Sequence, residues 1–222
     1  MFDKELKQEI VRNDLDKITR RLDYLDYLDN NGQVLDEHEK QEFEQFKLIY
    51  NTLSEDEKRV IYNLNIARWR RIKRTRHFIN KLFCLAVLTN STCAFVTLTF
   101  NDNTLNTTTE LARRKRVRRF LDRVCLGYFA NIDFGKTNER EHYHAILVLK
   151  NDFDKELFNY WEQKNGFYNI KPISCNDDLT NVKLSKYLNK LTYHALKDTT
   201  QHEDTSYRAI YKINKPFSDI IQ

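Results

Sequence analysis

The sequence predicts an α+β fold, an antiparallel sheet with helices on one face, preceded by an α-helical N-terminal extension. Three observations point there. Apolar residues in the first third recur at helical spacing. From about Cys93 onward, β-branched and aromatic runs alternate with amphipathic helical stretches. Two of those runs lie in tandem, joined by a short polar segment that suits a hairpin. Hydrophobic residues make up 41% of the 222, with only 4 Gly and 2 Pro, which suits a folded, helix-rich chain and not a disordered one. The expected division is a helical extension over 1–88 and a sheet domain over 89–222.

Val11, Leu15, Ile18, Leu22 and Leu25 repeat at steps of 4, 3, 4 and 3, a short coiled-coil-like seam that ends near Asn30-Asn31-Gly32. A second helix runs over 36–50. A third starts at the capping box Ser54-Glu55-Asp56-Glu57 and continues toward Leu88. This acidic helical part can dimerise, recruit a partner or pack on the rest of the chain, and packing is the plainest of the three. Then follow a strand from Cys93, a helix over 108–125, strands over 128–134 and 142–149, a helix over 152–163, a strand over 167–173 and a helix over 178–197. The run 207–213 reads as an edge strand.

Cys84, Cys93, Cys125 and Cys175 form no CxxC pair, so they are expected as reduced thiols and not as a zinc site. Asp3, Lys4 and Glu5 follow Met1 directly, and no stretch is apolar for long enough to span a bilayer. A cytoplasmic protein with no membrane partner is the expectation. Net charge is +5, but it is unevenly placed: residues 1–58 hold 16 acidic against 9 basic side chains, and the remainder 28 basic against 16 acidic. Two clusters dominate the basic part. One is Arg68, Arg70, Arg71, Lys73, Arg74 and Arg76 around Trp69; the other is Arg113, Arg114, Lys115, Arg116, Arg118, Arg119 and Arg123. Each is either a solvated helix face or a surface for nucleic-acid phosphates, and the charge asymmetry favours phosphates, with Arg113, Arg114, Arg116 and Arg118 as the expected contacts.

The run His142-Tyr143-His144 opens the apolar strand Ala145-Ile146-Leu147-Val148-Leu149. Alternation along a strand points both histidines the same way. They can grip one divalent metal or stand as ordinary half-exposed strand residues. Asp133, nine residues earlier and before Gly135, comes alongside through the hairpin, where it can supply a third ligand or cap the turn. Two imidazoles and a carboxylate suit Mg2+ or Mn2+, with positions left for phosphate oxygens and water. In the last helix Leu184, Leu188, Leu191 and Ala195 form an apolar stripe, and beside it run Lys183, Tyr187, Lys190 and His194. Lysines one turn away on either side favour the Tyr187 phenolate, which would prepare a nucleophile. The plainer reading is a tyrosine at the edge of the stripe with solvated lysines.

Taken in order, these pieces resemble the HUH endonucleases, the rolling-circle replication initiators of small single-stranded DNA phages, viruses and plasmids. The family's first motif is similar to Phe95-Val96-Thr97-Leu98-Thr99-Phe100-Asn101-Asp102, its metal motif to His142-Tyr143-His144, its preceding acidic residue to Asp133-Phe134-Gly135, and its tyrosine motif to Tyr187-Leu188-Asn189-Lys190. Arg140 and the stretch Trp161 to Ile170 with Gly166 resemble the microvirus branch. The likeness covers about Phe95 to Lys197, under half of the chain. Two departures stand out. The third ligand is Asp where many relatives have Glu, and no second tyrosine stands four residues from Tyr187, since 183 is Lys and 191 is Leu. Tyr193 lies about 240° round the helix from Tyr187, on another stripe, and is expected to pack or contact DNA.

The resemblance implies a ferredoxin-like or RNA-recognition-like sheet and a metal site of Asp133, His142 and His144 holding Mg2+ or Mn2+. It implies that Tyr187 attacks single-stranded or hairpin origin DNA, leaving a 5′-phosphotyrosine and a free 3′-OH, with Lys190 and Lys183 orienting the phosphate or lowering the tyrosine's pKa. Thr97 and Thr99 are expected to contact DNA or to serve structure alone. No GxxxxGK loop lies among the four glycines, so unwinding is expected from a host helicase and extension from a host polymerase. A relaxase or single-tyrosine transposase of the same chemistry, or a non-catalytic basic nucleic-acid-binding regulator, are the alternatives.

Overall fold

The computed structural model describes residues 13–134, 140–150, 155–175, 178–188 and 209–214, together with Leu6, Glu9 and Ile10. Among them lie seven helices and five strands: α1 Leu15–Asn30, α2 Glu37–Thr52, α3 Glu55–Leu88, β1 Cys93–Thr99, α4 Asp102–Thr107, α5 Glu110–Val124, β2 Cys125–Phe134, β3 Glu141–Leu149, α6 Lys155–Lys164, β4 Tyr168–Pro172, α7 Asp178–Leu188 and β5 Ile210–Ile213. The chain forms two compact units, Met1–Arg70 and Arg71–Gln222. No described helix is long and apolar enough to cross a membrane.

In the first unit, Leu22 and Leu25 of the expected seam are buried, and Leu15 packs with the cluster of Ile10, Val60 and Ile61. Arg21 of α1 ties down α2 through Glu42 (2.9 Å) and Glu39 (3.4 Å). Both following helices start on capping boxes. Asp36 accepts from the Glu39 amide, and the Ser54 amide donates to Glu57 (2.7 Å), so donors otherwise orphaned at the first turn are satisfied.

The second unit is an antiparallel sheet in the order β4-β1-β3-β2-β5. Without β5 this is the βαββαβ arrangement with β3 inserted between the parallel pair β1 and β2, the ferredoxin-like topology that the resemblance implied. β5 extends it at the β2 edge, within the run 207–213 that was expected as an edge strand. Alternation divides the side chains between two faces. Ala94, Val96 and Leu98 of β1, Tyr143, Ala145 and Leu147 of β3, and Tyr128, Ala130 and Ile132 of β2 meet Val117, Phe120, Leu121 and Val124 of α5 and Phe158 and Trp161 of α6. Each of these large apolar side chains contributes about 1.5–3 kcal/mol on burial.

Helices α5 and α6 cover one face, as expected. Ile79, Leu82, Phe83, Leu85 and Ala86 of α3, with Leu188 of α7, bury the other face against Cys93, Phe129, Ile146 and Val148. The cause is in the sequence of α3: Arg-rich as far as Arg76, it turns apolar at helical spacing afterwards. This cover lies over one end of the sheet. The other end of that face carries the histidines.

Gly166 sets the approach of β4 to β1. Its φ is +144, and a side chain there would collide with the Thr99 carbonyl oxygen and come within 2.5 Å of the Asn101 amide nitrogen. Lacking one, the chain passes close enough for the Thr99 amide to donate to the Phe167 carbonyl (2.8 Å) and the Asn101 amide to the Asn165 carbonyl (2.7 Å). Gly166→Ala should therefore lower unfolding free energy by at least about 3 kcal/mol, because it combines backbone strain with a clash against main chain that cannot swing aside. Urea denaturation measures this, and an unchanged midpoint would refute the close approach.

Candidate metal and tyrosine site

Three strands place the polar cluster. β3 pairs with β1 so that His142 lies opposite Thr99 and His144 opposite Thr97, and with β2 so that His142 lies opposite Asp133 and His144 opposite Asn131. Directly paired residues share a face. Two rows result, Asp133–His142–Thr99 and Asn131–His144–Thr97, on the face away from α5. The two His Nε2 atoms stand 3.1 Å apart, and Asp133 Oδ2 lies 3.7 Å from that of His142 and 3.6 Å from that of His144.

The second ring nitrogens are occupied. His142 Nδ1 lies 3.0 Å from the Arg140 carbonyl oxygen, which only accepts, so Nδ1 carries the hydrogen and Nε2 a lone pair. His144 Nδ1 lies 3.0 Å from Thr97 Oγ1, a partner that can accept or donate. If His144 donates to Thr97, both Nε2 lone pairs and a carboxylate oxygen converge on one point, an arrangement that suits a cation. Donor atoms each about 2.1 Å from a shared ion stand roughly 3.0–3.5 Å apart, close to these separations. Asp133, His142 and His144 thus fit a divalent metal, and the outer bonds to Arg140 and Thr97 would orient both rings. Burial pushes the His142 imidazole down, helped by His144 and opposed by the Arg140 carbonyl and Asp133, which favours the neutral form.

α7 carries Tyr187 to the same place. Its hydroxyl is 3.1 Å from His144 Nε2, and its ring meets His144 (centroids 4.9 Å) and Phe95 (5.8 Å) edge-on. Phe95 in turn stacks on His144 at 5.6 Å. The end of α7 is held by Asn131, whose Nδ2 donates to the Leu188 carbonyl (2.6 Å). At 46% exposure Tyr187 faces both the cluster and solvent. The expected lowering of its pKa by lysines needs correction: burial, then the charge of Asp133, pushes the phenol up. Lys183 is exposed on α7, one turn before it. Lys190 and Tyr193 lie outside the described residues.

The arginines expected to meet DNA lie on α5. Arg113 is turned inward: its Nε donates to Glu141 (2.7 Å) and its Nη1 to the carbonyls of Leu105 (3.3 Å) and Thr108, so it is engaged in an internal ion pair. Arg114 reaches the Ala209 carbonyl and Arg116 the Asn165 side chain, both at 3.3 Å, while Arg118 is exposed. All ride on α5, behind the sheet, so the fold does not bring them to the histidines. Thr97 and Thr99 do share the site's face. Asn131 and Phe95 were missed, though both stand two residues from a residue already singled out, Asp133 and Thr97, where strand alternation puts them on the same face.

Residues 93–192 match the family model for replication-associated protein ORF2. The matched stretch includes Thr97, Asp133, His142, His144 and Tyr187, and the match is consistent with the rolling-circle initiators that the sequence resembles. No curated protein and no solved structure matched the chain.

The Arg113–Glu141 pair yields a stability test, since their side chains are only 12% and 4% exposed. Arg113→Ala should cost about 3–5 kcal/mol, because it strands a buried carboxylate, while Arg113→Met with Glu141→Leu should recover most of it. A single substitution within about 0.5 kcal/mol of the parent in urea unfolding would mark Arg113 as a solvated surface residue instead.

Proposed function

We propose that the chain is a replication initiator that nicks single-stranded or hairpin DNA at a rolling-circle origin and later rejoins the strand. The observation that carries this reading is the Tyr187 hydroxyl, held 3.1 Å from His144 Nε2 beside a two-histidine, one-aspartate cluster. The match to a replication-associated family over 93–192 supports it.

In the proposed reaction Tyr187 Oη forms a bond to phosphorus and the bond from phosphorus to the 3′ oxygen breaks. The phenol gives up one proton and the departing oxygen takes one up. One phosphoester is exchanged for another, so the bond energy is retained as a 5′-phosphotyrosine and no nucleotide cofactor is required. A divalent ion on Asp133, His142 and His144 would polarise the scissile phosphate and stabilise the charge that develops there. Of Mg2+ and Mn2+, the two nitrogen donors favour Mn2+, since magnesium prefers oxygen ligands. Because burial and Asp133 disfavour the phenolate, the proton has to leave as Oη bonds to phosphorus, and Lys183 and Lys190 are proposed to orient the phosphate. The free 3′-OH would be extended by a host polymerase, with a host helicase opening the duplex.

A test uses 3′-labelled single-stranded and hairpin oligonucleotides from the replicon that encodes the chain, incubated with Mn2+ and separated under denaturing conditions. A covalent adduct is expected, reduced to background by Tyr187→Phe and retained by Tyr193→Phe. An adduct that survives Tyr187→Phe and disappears in Tyr193→Phe would move the nucleophile. If no strand gives an adduct while salt-sensitive binding persists, the chain is a non-catalytic DNA binder.

A further inference from the structure

The site's face continues past the threonines onto β4. Thr97 pairs with Asn169 and Phe95 with Lys171, and the hydrogen bond from the Thr99 amide to the Phe167 carbonyl carries the same register one step further. Tyr168 and Ile170 pack with the core on the α5 side, so Asn169 and Lys171 project on the histidine side, while Phe167, just before the strand, lays its ring against that of Tyr168 at the sheet edge (centroids 6.5 Å, 26° between planes). The row Asn131–His144–Thr97 therefore ends at Asn169, and the backbone of Phe167 lies opposite Thr99 at the end of the row Asp133–His142–Thr99.

Phe167 is 59% exposed, and Asn169 and Lys171 are exposed too. β4 is an edge of the described sheet. A lysine there has an ordinary explanation, since edge strands use charge to deter association, but an exposed phenylalanine does the opposite. Its position is also held firmly, because the Gly166 approach fixes the backbone just before it against β1. Phe167 stands two strands from His142, roughly 10 Å at ordinary strand spacing, a short span for a nucleic-acid strand.

We propose that Phe167 is a stacking platform for a base of single-stranded DNA flanking the scissile phosphate, with Asn169 and Lys171 meeting the adjoining sugar-phosphate. This rests on the proposed nicking function for the identity of the strand, though not for the stacking itself. A flat ring beside a cation is the combination that binds single strands with little regard to sequence, because every base has a face to stack. It also selects single strands over duplex, whose bases are already stacked.

The experiment measures equilibrium binding by fluorescence anisotropy in the Tyr187→Phe chain, where no covalent link can form. The probes are a short labelled oligothymidylate and an abasic strand of the same length. Phe167→Ala should weaken oligothymidylate binding about 5- to 100-fold, leave the abasic strand nearly unaffected, and preserve the urea midpoint. Phe167→Trp should restore the preference for bases. Equal affinity of Phe167→Ala and parent for oligothymidylate would overturn the proposal. So would a loss shared equally by the abasic strand, or a Phe167→Trp chain as weak as Phe167→Ala. The two readings fail separately: a chain that shows the base-dependent loss but never forms an adduct keeps the platform and loses the nicking chemistry, whereas an adduct with no base-dependent loss does the reverse.

Discussion

β3 is hydrogen-bonded along both edges, to β1 and to β2, and the register of those two ladders decides which side chains meet. A slip of one residue on either side would turn the partner strand's side chains to the opposite face. On the β2 side it would bring Ile132 to the cluster and remove Asp133; on the β1 side it would exchange Thr97 for an aliphatic neighbour. What pins the register is the opposite face, where Tyr143, Ala145 and Leu147 are buried with Ile132, Ala130 and Tyr128 in a core sealed by α5 and α6. The polar cluster is thus positioned by apolar packing on the far side of the sheet. It needs no contribution of its own to stability.

The tyrosine depends on a second, smaller set of contacts. α7 is anchored through Leu188 in the core on the histidine side, through the Asn131 bond to the Leu188 carbonyl, and through buried Asn181, which donates to the Arg76 carbonyl and the Asn80 side chain of α3. Phe95 then meets both the Tyr187 ring and the His144 ring. Thr97 bonds the His144 ring, Phe95 meets both rings and Asn131 holds the end of α7, so between them they fix His144 and Tyr187 relative to each other. That coupling links the two halves of the proposed reaction, one group that would hold the phosphate and one that would attack it.

Much of this was legible in the sequence because it follows from short-range rules. The period-2 spacing of His142 and His144, the hairpin that returns Asp133, and the helical stripe through Leu184 and Leu188 are local patterns, and the antiparallel pairing converts them into contacts. The long-range partners were not legible. Nothing in Arg113-Arg114-Lys115-Arg116 distinguishes the one arginine that turns inward to Glu141, since that depends on where α5 crosses β3. The apolar second half of α3 looked like the end of an extension, yet it covers half of the functional face, because burial is decided by what else lacks a partner. The sign of the shift at Tyr187 was missed for a similar reason. Lysines at helical spacing are visible in the sequence, while the desolvation and the carboxylate that outweigh them come from strands some fifty residues away.

Asp133, His142 and His144 have to act as one ligand set for the proposed chemistry to work, and pulsed electron paramagnetic resonance of the chain with Mn2+ tests that directly. Two directly coordinated imidazole nitrogens should couple to the manganese, with one coupling lost in His142→Gln, one in His144→Gln, and metal affinity lowered in Asp133→Asn with both couplings intact at saturating metal. Manganese that binds without nitrogen coupling, or that keeps both couplings in either histidine variant, would contradict the site.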